Sequence, residues 1–348
     1  MRKPHTGIVE NGNNVSARFR MGGVKGAVMA ENKQYYIGID VGGTSVKLGL
    51  FDEEGELLGK ASVPTPSLAC DEGHAAVVGG IEQLMGAVQQ PMLFVRGIGL
   101  AIPCPVPASG VITMAANIEI DAPALKEALE ARCPHALVRY VNDANAAAMG
   151  EVWRGSAQGH RSMVMVTIGT GLGGGVVVNG DVIDGAFGAG GEIGHICVNP
   201  AEERECGCGL HGCLEQYASA SGVVSNYLRV CEQSGVEPIE LVGPSDSRSV
   251  FDAARAGDET ALAAIDVTMD YLSLGLQIIS AVVDPEVYVL GGGASASADM
   301  FLDSLREKYA ARALKVSRGT SIEVAKLGND AGIFGAAYVA LRAAAREV

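Results

Sequence analysis

The feature that most constrains the fold is a pattern that occurs twice: a strand, a glycine-rich turn, a second strand and a hairpin signal. The first copy begins at Tyr35 and the second at Met163, and the offset from Asp40 to Thr167 is about 127 residues. Runs of apolar residues bounded by glycine are typical of strands. The repetition predicts an internal duplication of one β-β-β-α unit, with two lobes facing each other across a cleft lined by glycine turns.

The segments outside the two copies complete an α/β pattern. A third strand followed by glycines covers residues 287–293, and a helix is expected from about 298 to 313. Between the copies, strands are predicted over 96–102 and 136–141, and an alanine-rich helix over 144–153. Strands and helices therefore alternate along most of the chain.

Composition excludes several classes of protein. The 348 residues are enough for two lobes, and the net charge of −14 argues against a general affinity for nucleic acid or an anionic membrane. Residues 262–283 are apolar enough for a central packed helix, while Asp266, Asp270 and Gln277 argue against a membrane span. Residues 1–33 lack periodicity and an apolar signal core, so we predict a disordered leader and a cytoplasmic protein.

Residues 190–215 contain a candidate metal site. A histidine and three closely spaced cysteines form a four-ligand set for tetrahedral Zn²⁺: His195, Cys206, Cys208 and Cys213. A disulfide loop or ordinary buried thiols are the alternatives, although eight cysteines in the whole chain are far fewer than in a disulfide scaffold. Four protein ligands leave no open position for water, so the metal would be structural and would hold Glu192 and Glu215 in fixed places.

The first glycine turn is a candidate phosphate site. The backbone N–H groups of Gly42, Gly43 and Thr44 can point at an anion, and Lys47 in the next strand can add positive charge. Asp40 at the end of the preceding strand can hold Mg²⁺ directly or through water. A plain hairpin turn with a surface lysine is the alternative for this segment taken alone.

The second turn, residues 169–174, fits the dinucleotide pattern G-x-G-x-x-G. That pattern must open a helix, whereas a strand over 175–179 and a hairpin into 181–184 follow here, so the dinucleotide interpretation fails. The turn still suits a triphosphate. In the third turn, the three glycines at 291–293 leave an open face on which adenine can lie. A flexible connection between strand and helix is the alternative. The predicted nucleotide contacts in these two turns are Thr167, Gly169, Thr170, Gly171, Gly291, Gly292 and Gly293.

Asp143 is the candidate catalytic base. It follows a predicted strand and opens a helix, where an aspartate often caps the helix and where α/β proteins also place ligand sites. Asn142 beside it offers a donor and an acceptor to sugar hydroxyls. Phosphoryl transfer requires metal-bound phosphates, an in-line hydroxyl and a carboxylate that accepts its proton.

These motifs together resemble the ROK family of bacterial sugar kinases and sugar-responsive repressors. The segments that carry the resemblance are Asp40-Val-Gly-Gly-Thr-Ser-Val-Lys47, Asn142-Asp143-Ala-Asn145, Gly191-Glu-Ile-Gly-His195 and Cys206-Gly-Cys-Gly-Leu-His-Gly-Cys-Leu-Glu215. The resemblance implies a two-lobe, actin-like and hexokinase-type (ribonuclease H-like) fold, with ATP and Mg²⁺ in the interlobe cleft and a structural Zn²⁺. It implies that Asp143 is the base and that the sugar contacts are Asn117, Asn142, Asp143, Glu192, His195 and Glu215.

The lobes and the substrate follow from the same resemblance. We expect a small N-terminal lobe over 35–141 plus about 330–348, and a larger C-terminal lobe over 142–329 that carries the zinc site. Two departures concern the sugar: many members have Pro-Gly where this chain has Pro103-Cys104, and many glucokinases have Asn-Leu followed soon by Trp where it has Asn117-Ile118-Glu119-Ile120.

The predicted function is an ATP-dependent hexose kinase. The leading hypothesis is a glucokinase, which forms glucose 6-phosphate. An N-acetylmannosamine, N-acetylglucosamine or other hexose kinase is the alternative, and the donor could be polyphosphate instead of ATP. A sugar-responsive repressor is disfavoured, because the 33 residues before the first strand show no apolar periodicity for a helix-turn-helix. Relatives in the family are often dimers, so a homodimer or higher oligomer is expected.

Overall fold

The computed structural model describes residues 33–107, 109–110, 112 and 118–346. The expected leader, apart from its last residue, and the predicted sugar contact Asn117 lie outside the described residues. Within these ranges the chain forms two five-stranded sheets with helices on and between them.

The first sheet has the strand order β3-β2-β1-β4-β5. β1 is antiparallel to β2, β2 is antiparallel to β3, and β1, β4 and β5 are parallel. The bounds are β1 Tyr35–Val41, β2 Ser45–Asp52, β3 Leu57–Pro64, β4 Val95–Ile102 and β5 Leu137–Asn142.

The second sheet repeats this arrangement in the order β10-β9-β6-β7-β8. β6 is antiparallel to β7 and parallel to β9, so β6 takes the place of β1 and β9 the place of β4. The bounds are β6 Met163–Ile168, β7 Leu172–Val178, β8 Asp181–Val182, β9 Val287–Gly291 and β10 Ser321–Val324. The equal order and directions agree with the predicted duplication.

Helices cover the sheets and separate them. α9 packs on β1 and β4, α3 packs on β6 and β7, and the two helices pack on each other between the sheets. The bounds are α1 Asp71–Ala87, α2 Ala122–Arg132, α3 Asp143–Arg154, α4 Glu215–Ala218, α5 Ala220–Ser234, α6 Ser247–Arg255, α7 Glu259–Val283, α8 Leu302–Arg312 and α9 Ala331–Arg346.

The contact between α3 and α9 depends on glycine. A Cβ atom on Gly335 of α9 would lie 1.6 Å from the carbonyl oxygen of Ala146 in α3, and one on Gly38 of β1 would lie 1.8 Å from the carbonyl oxygen of Ile333. Both distances are far below any real non-bonded contact. The backbone of α9 therefore rests directly on β1 on one side and on α3 on the other.

Each sheet has its own hydrophobic core. The core of the first sheet includes Ile81 of α1 and Leu129 of α2, and that of the second includes Leu272 and Leu276 of α7. Among the described helices, α7 alone is long and apolar enough to cross a membrane by length and composition, and half of its apolar window is buried inside the protein. α7 thus packs as the core helix that its sequence predicts.

Two predicted boundaries are wrong. The second glycine turn is shorter than 169–174, because Gly173 and Gly174 pair with Thr167 and Val166 of β6 as regular parts of β7. The helix expected from about 298 to 313 is divided: a 3-10 helix runs over Gly293–Met300, and α8 begins only at Leu302. A kink at Ser297, with φ −104° and ψ 19°, interrupts the 3-10 helix, and the non-helical Phe301 separates that helix from α8.

Candidate active site

Predicted site residues lie where strands of both sheets end. Asp40 lies near the end of β1, Asn142 ends β5, and Thr167 of β6 pairs with Gly291 at the end of β9. The carboxyl ends of parallel strands are the usual position of ligand sites in α/β folds. The glycine turns therefore border the same region as the start of α3.

Asp40 lies against the start of α9. Its Oδ2 is 3.7 Å from Lys47 Nζ, and a Cβ atom on Gly332 would lie 2.7 Å from its Cγ. Burial raises the pKa of Asp40; the positive charge of Lys47 opposes this rise and the negative charge of Asp330 adds to it. Lys47, the predicted phosphate contact, also donates to the Asn329 carbonyl at 3.1 Å. The first turn thus pairs a carboxylate with a cation held close to it.

Asp143 is the first residue of α3, and Asn142 is the N-cap residue. Asn142 Oδ1 accepts from the backbone N–H groups of Ala144 at 3.0 Å and Asn145 at 3.1 Å, and its Nδ2 donates to the Cys104 carbonyl at 3.3 Å. One Asp143 oxygen also accepts from Ala144 N at 2.8 Å. Capping is therefore carried mainly by Asn142, and the Asp143 side chain is exposed to solvent.

The electrostatic surroundings of Asp143 suit a base. Protein atoms around its accessible carboxyl group desolvate it and raise its pKa. The hydrogen bond from Ala144 N opposes this rise, and the negative charges of Asp40 and Glu192 add to it. Asp40, Asp143 and Glu192 thus lie close enough for their charges to interact, although they come from three separate segments.

The four predicted metal ligands come together. The ligand atoms of His195, Cys206, Cys208 and Cys213 all lie within 4.8 Å of one another. The Cys208 and Cys213 sulfurs are 3.7 Å apart, and His195 Nδ1 is 3.8 Å from Cys206 Sγ. Zn–S bonds of about 2.3 Å in a tetrahedron place two sulfurs about 3.8 Å apart, so the donor set fits Zn²⁺. All eight cysteines are free thiols, so no disulfide loop is formed.

Two glycines with a left-handed backbone conformation shape the loop over residues 206–213, which we call the cysteine loop. Gly209 and Gly212 have φ values of +82° and +71°, which side chains with a Cβ rarely adopt. A Cβ atom on Gly212 would also lie 1.9 Å from the Asn199 carbonyl oxygen. These two glycines therefore let the chain fold back so that the three thiols converge.

His195 connects the cysteine cluster to Glu192. Glu192 precedes a 3-10 turn at Ile193–His195 and His195 ends it, and the histidine Nε2 is 4.0 Å from Glu192 Oε2. Since Nδ1 of the same ring faces Cys206, a metal there would fix the ring and leave Nε2 directed toward the carboxylate.

Glu215 connects the cluster to the second glycine turn, a link that the sequence does not reveal. It is the first residue of α4; its Oε2 accepts from Leu172 N at 2.9 Å and its Oε1 is 3.7 Å from Cys206 Sγ. Both oxygens therefore have protein partners. The predicted sugar contact through Glu215 stays a prediction.

The second turn is also held by the start of α5. The Gly169 carbonyl accepts from Ala220 N at 2.8 Å, and the Thr170 carbonyl accepts from Ser221 Oγ at 2.9 Å. In the first turn, by contrast, Gly43 and Thr44 are exposed, and Gly42 N–H is used inside the turn to Ser45 O at 3.1 Å.

A second pair that sequence reasoning missed joins Asn145 to Asp184. Asn145 Nδ2 donates to Asp184 Oδ1 at 3.1 Å, and burial raises the pKa of Asp184. Asn145 is 2 % exposed, and its Oδ1 has no hydrogen-bond partner among the described residues. Asn145 belongs to a motif read from the sequence, but its partner lies 39 residues further along the chain.

The cavities of the structure and the predicted site residues coincide only in part. A cavity of about 730 Å³ lies between β5, α2, α9 and the β7–β8 hairpin; it reaches Asp184 but none of the predicted site residues. A smaller one of about 280 Å³ is lined by Thr170, Cys206 and Glu215. We assign the site to the convergent carboxylates and turns, because the larger cavity lacks them.

Comparisons with known proteins agree with this geometry. A protein-family model described as "ROK family" matches residues 36–343. The glucokinase of Halalkalibacterium halodurans is 34% identical over 320 residues, which cover 88% of this chain and 94% of the relative. The N-acetyl-D-glucosamine kinase of Citrobacter koseri is 32% identical over 317 residues, which cover 88% and 99%.

Solved structures show the same fold. The ROK hexokinase from Thermus thermophilus superposes with a TM-score of 0.76 at 33% identity, covering 90% of this chain and 100% of that one. A ROK family glucokinase from Streptomyces griseus in complex with glucose and AMPPNP has a TM-score of 0.66 at 30% identity, covering 88% and 99%. The predicted α/β, two-lobe fold of the hexokinase type is thereby confirmed.

Proposed function

The chain belongs to the ROK family, and from this premise we propose that it is an ATP-dependent hexose kinase, specifically a glucokinase that forms glucose 6-phosphate. Glucokinases are among its relatives, and a structural neighbour was solved with glucose and a nucleotide analogue. The proposed lobes are 35–141 with about 330–348, and 142–329. We expect a cytoplasmic homo-oligomer, whose size light scattering measures.

The observation that carries this proposal is the position of Asp143. Its carboxylate is accessible, has a raised pKa and shares a region with Asp40 and Glu192. In the proposed reaction Asp143 accepts the proton of the sugar 6-hydroxyl as that oxygen bonds to the γ-phosphorus of ATP. The bond from the γ-phosphorus to the bridging oxygen of ADP breaks, and ADP leaves with the bonding electrons.

The nucleotide residues have separate proposed tasks. Asp40 would hold Mg²⁺, which neutralises phosphate charge when bound. The phosphates would contact Gly42, Gly43, Thr44, Lys47, Thr167, Gly169, Thr170 and Gly171, and the adenine would lie on Gly291, Gly292 and Gly293. The clustering of these residues at the ends of β1, β6 and β9 supports this assignment.

The sugar site combines donors and acceptors from several segments. Asn117, Asn142, Glu192, His195 and Glu215 would bind the hydroxyl groups. The four-ligand set at His195 would hold Zn²⁺ in a purely structural role, keeping His195 and Glu192 in position. The distances among its donor atoms support this role.

An N-acetylhexosamine kinase is the second candidate, because two relatives named N-acetyl-D-glucosamine kinase match over 88% of this chain. A coupled assay over glucose, mannose, N-acetylglucosamine and N-acetylmannosamine, each with ATP and with polyphosphate, separates the candidates. A kcat/KM for glucose that is below that for an N-acetyl sugar would reject the glucokinase assignment.

The base assignment is tested by Asp143→Asn. This change should lower kcat by about 10³-fold, because it removes the proton acceptor but keeps the shape of the side chain. Sugar binding, measured by calorimetry, should stay within about threefold of the unchanged protein. Asp303→Asn on the exposed side of α8 is the matched control. A near-normal kcat for Asp143→Asn would show that another group is the base.

A further inference from the structure

Phe187 is an aromatic side chain left in solvent, in the loop between β8 and Glu192. It is 91 % exposed, and it is the only exposed aromatic residue in the part of the chain that the structure describes. Single exposed aliphatic residues are normal on protein surfaces. A fully exposed phenyl ring is different, because the other described aromatic residues are buried or half-buried.

The loop that carries Phe187 is closed at its base and projects from the second sheet. Gly190 N donates to the Asp184 carbonyl at 3.0 Å across the base. Gly185 and Gly188, on either side of the tip, have φ values of +76° and +82°. These left-handed positions turn the chain twice within four residues and direct residue 187 away from the sheet.

The loop spans the two halves of the site. At its base, Asp184 accepts a hydrogen bond from Asn145 in α3, the helix that begins at Asp143. At its tip, a Cβ atom on Gly188 would lie 2.9 Å from Pro105 Cβ in the segment that follows β4. Glu192 comes five residues after Phe187, and its N–H donates to the Ala189 carbonyl at 3.4 Å. The loop that carries Phe187 therefore reaches from the segment before Glu192 to the segment that follows β4.

We infer that Phe187 covers the bound hexose, with its ring on the C–H face of the sugar. This inference rests on the proposed function. A hexose presents hydroxyl groups around its edge and C–H groups on its faces. The convergent carboxylates and amides provide partners for the edge, and a phenyl ring is the group that covers a C–H face and excludes water from it. Phe187 is a specificity-determining residue for the sugar, not a participant in proton transfer.

Substitution of Phe187 tests the inference by kinetics. Phe187→Ala should raise the KM for hexose about tenfold, since the lost contact corresponds to an aromatic packing contribution. The KM for ATP should not change, and kcat should stay within about threefold. Phe187→Trp, which keeps an aromatic face, should restore the KM. Val316→Ala is the matched control, because Val316 is 88 % exposed in the turn between α8 and β10. That turn lies before the start of β10, at the end of the second sheet away from the site, where Thr320 donates to the Pro285 carbonyl.

The tryptophan variant also reports the contact directly. The chain has one tryptophan, Trp153, which stacks on Tyr338 with ring centroids 5.0 Å apart and supplies a constant background. Saturating hexose without nucleotide should shift the emission of Phe187→Trp to shorter wavelength. Val316→Trp should show no shift.

The outcomes separate this inference from the proposed function. Suppose that the unchanged protein phosphorylates a hexose, that Phe187→Ala has an unchanged KM for hexose, and that hexose does not shift the emission of Phe187→Trp. The inference is then wrong and the proposed function stands. If the unchanged protein phosphorylates no hexose in the panel, both are wrong. If Phe187→Ala raises the KM but also dissociates an oligomer by light scattering, Phe187 contacts a second copy and the inference is overturned.

Discussion

The two glycine turns occupy equivalent places in the duplicated sheets, yet they are held differently. The first, after β1, lies beside two charged groups, Asp40 and Lys47, which are 3.7 Å apart. Its Gly43 and Thr44 are exposed, and its support comes from Thr65, just after β3, which donates to the carbonyls of Gly42 and Thr44. The second, after β6, has no charge of its own but is tied to α5 and to Glu215. The duplication thus produced one turn that supplies charge and one turn whose shape is imposed by its neighbours.

The largest expected effect comes from removing charge at the first turn. Asp40→Asn should lower kcat by about 10³-fold, because the proposed Mg²⁺ site loses its carboxylate. Thr167→Val at the equivalent position of the second copy should cost about tenfold or less, since it removes one hydroxyl. Steady-state kinetics at saturating hexose and ATP measure both. Equal losses would contradict the division between the two turns.

The next effect comes from removing the proposed Zn²⁺ at the cysteine cluster of the second copy. Chelation, or Cys206→Ser, should raise the KM for hexose about tenfold, because His195, Glu192 and Glu215 lose their fixed support. Zinc content measured by atomic absorption must fall in parallel, and the melting temperature should fall as well. Cys231→Ser, a buried thiol away from the cluster, is the control. A zinc-free protein with an unchanged KM would remove the proposed link between metal and sugar.

A smaller effect should follow from weakening the connection that Glu215 makes between the cysteine loop and the second turn. Glu215→Gln keeps the size of the side chain but weakens its acceptance from Leu172 N, and we expect the KM for ATP to rise about fivefold. Ser221→Ala, which removes the hydrogen bond to the Thr170 carbonyl, should raise the same KM about twofold. If the first turn alone positioned the nucleotide, neither variant would change this KM.

The smallest effect concerns pH. Since surrounding protein, Asp40 and Glu192 raise the pKa of Asp143, kcat/KM should fall on acidification at a pH above the usual carboxyl range. Glu192→Gln removes one negative charge and should shift this acid limb downward by about half a unit. Asp330→Asn removes a negative charge that raises the pKa of Asp40 and does not act on Asp143, so it should leave the limb in place.

Stability supplies an independent check on that pKa. A folded-state pKa above the unfolded value means that ionised Asp143 lowers the free energy of unfolding at neutral pH. Asp143→Asn should therefore melt at a higher temperature than the unchanged protein at pH 7. The difference should shrink as the pH falls through the folded pKa, and a difference that grows would contradict the raised value.

Local signals in the sequence were sufficient for much of this site. Asp40, the turn after it and Asp143 could be located because each lies at or just after the end of an apolar strand, and the Cys-x-Cys spacing indicated the candidate metal ligands. Long-range partners could not be found this way. The contacts of Glu215 with Leu172 and of Asn145 with Asp184 join segments 43 and 39 residues apart, and only the tertiary fold brings them together.

Glycine was the most misleading residue type. Gly173 and Gly174 read as part of a turn, since glycine is the strongest local turn signal. In the structure Gly174 lies in β7, where a Cβ atom would be 2.5 Å from Ile193. The lack of a side chain at Gly174 allows close packing against Ile193 and does not mark a turn. A single sequence does not distinguish these two uses of glycine.

The crossing of α3 and α9 reverses a common rule of protein engineering. Replacing a helical glycine by alanine usually stabilises a protein, because alanine restricts the unfolded chain and favours the helix. At Gly335 and Gly150 the added methyl group would meet the backbone of the partner helix, at 1.6 Å from Ala146 O and 2.5 Å from Ala331 O. A thermostability campaign on this enzyme should leave both positions alone and direct such replacements to glycines with free space, such as Gly79 and Gly86 in α1.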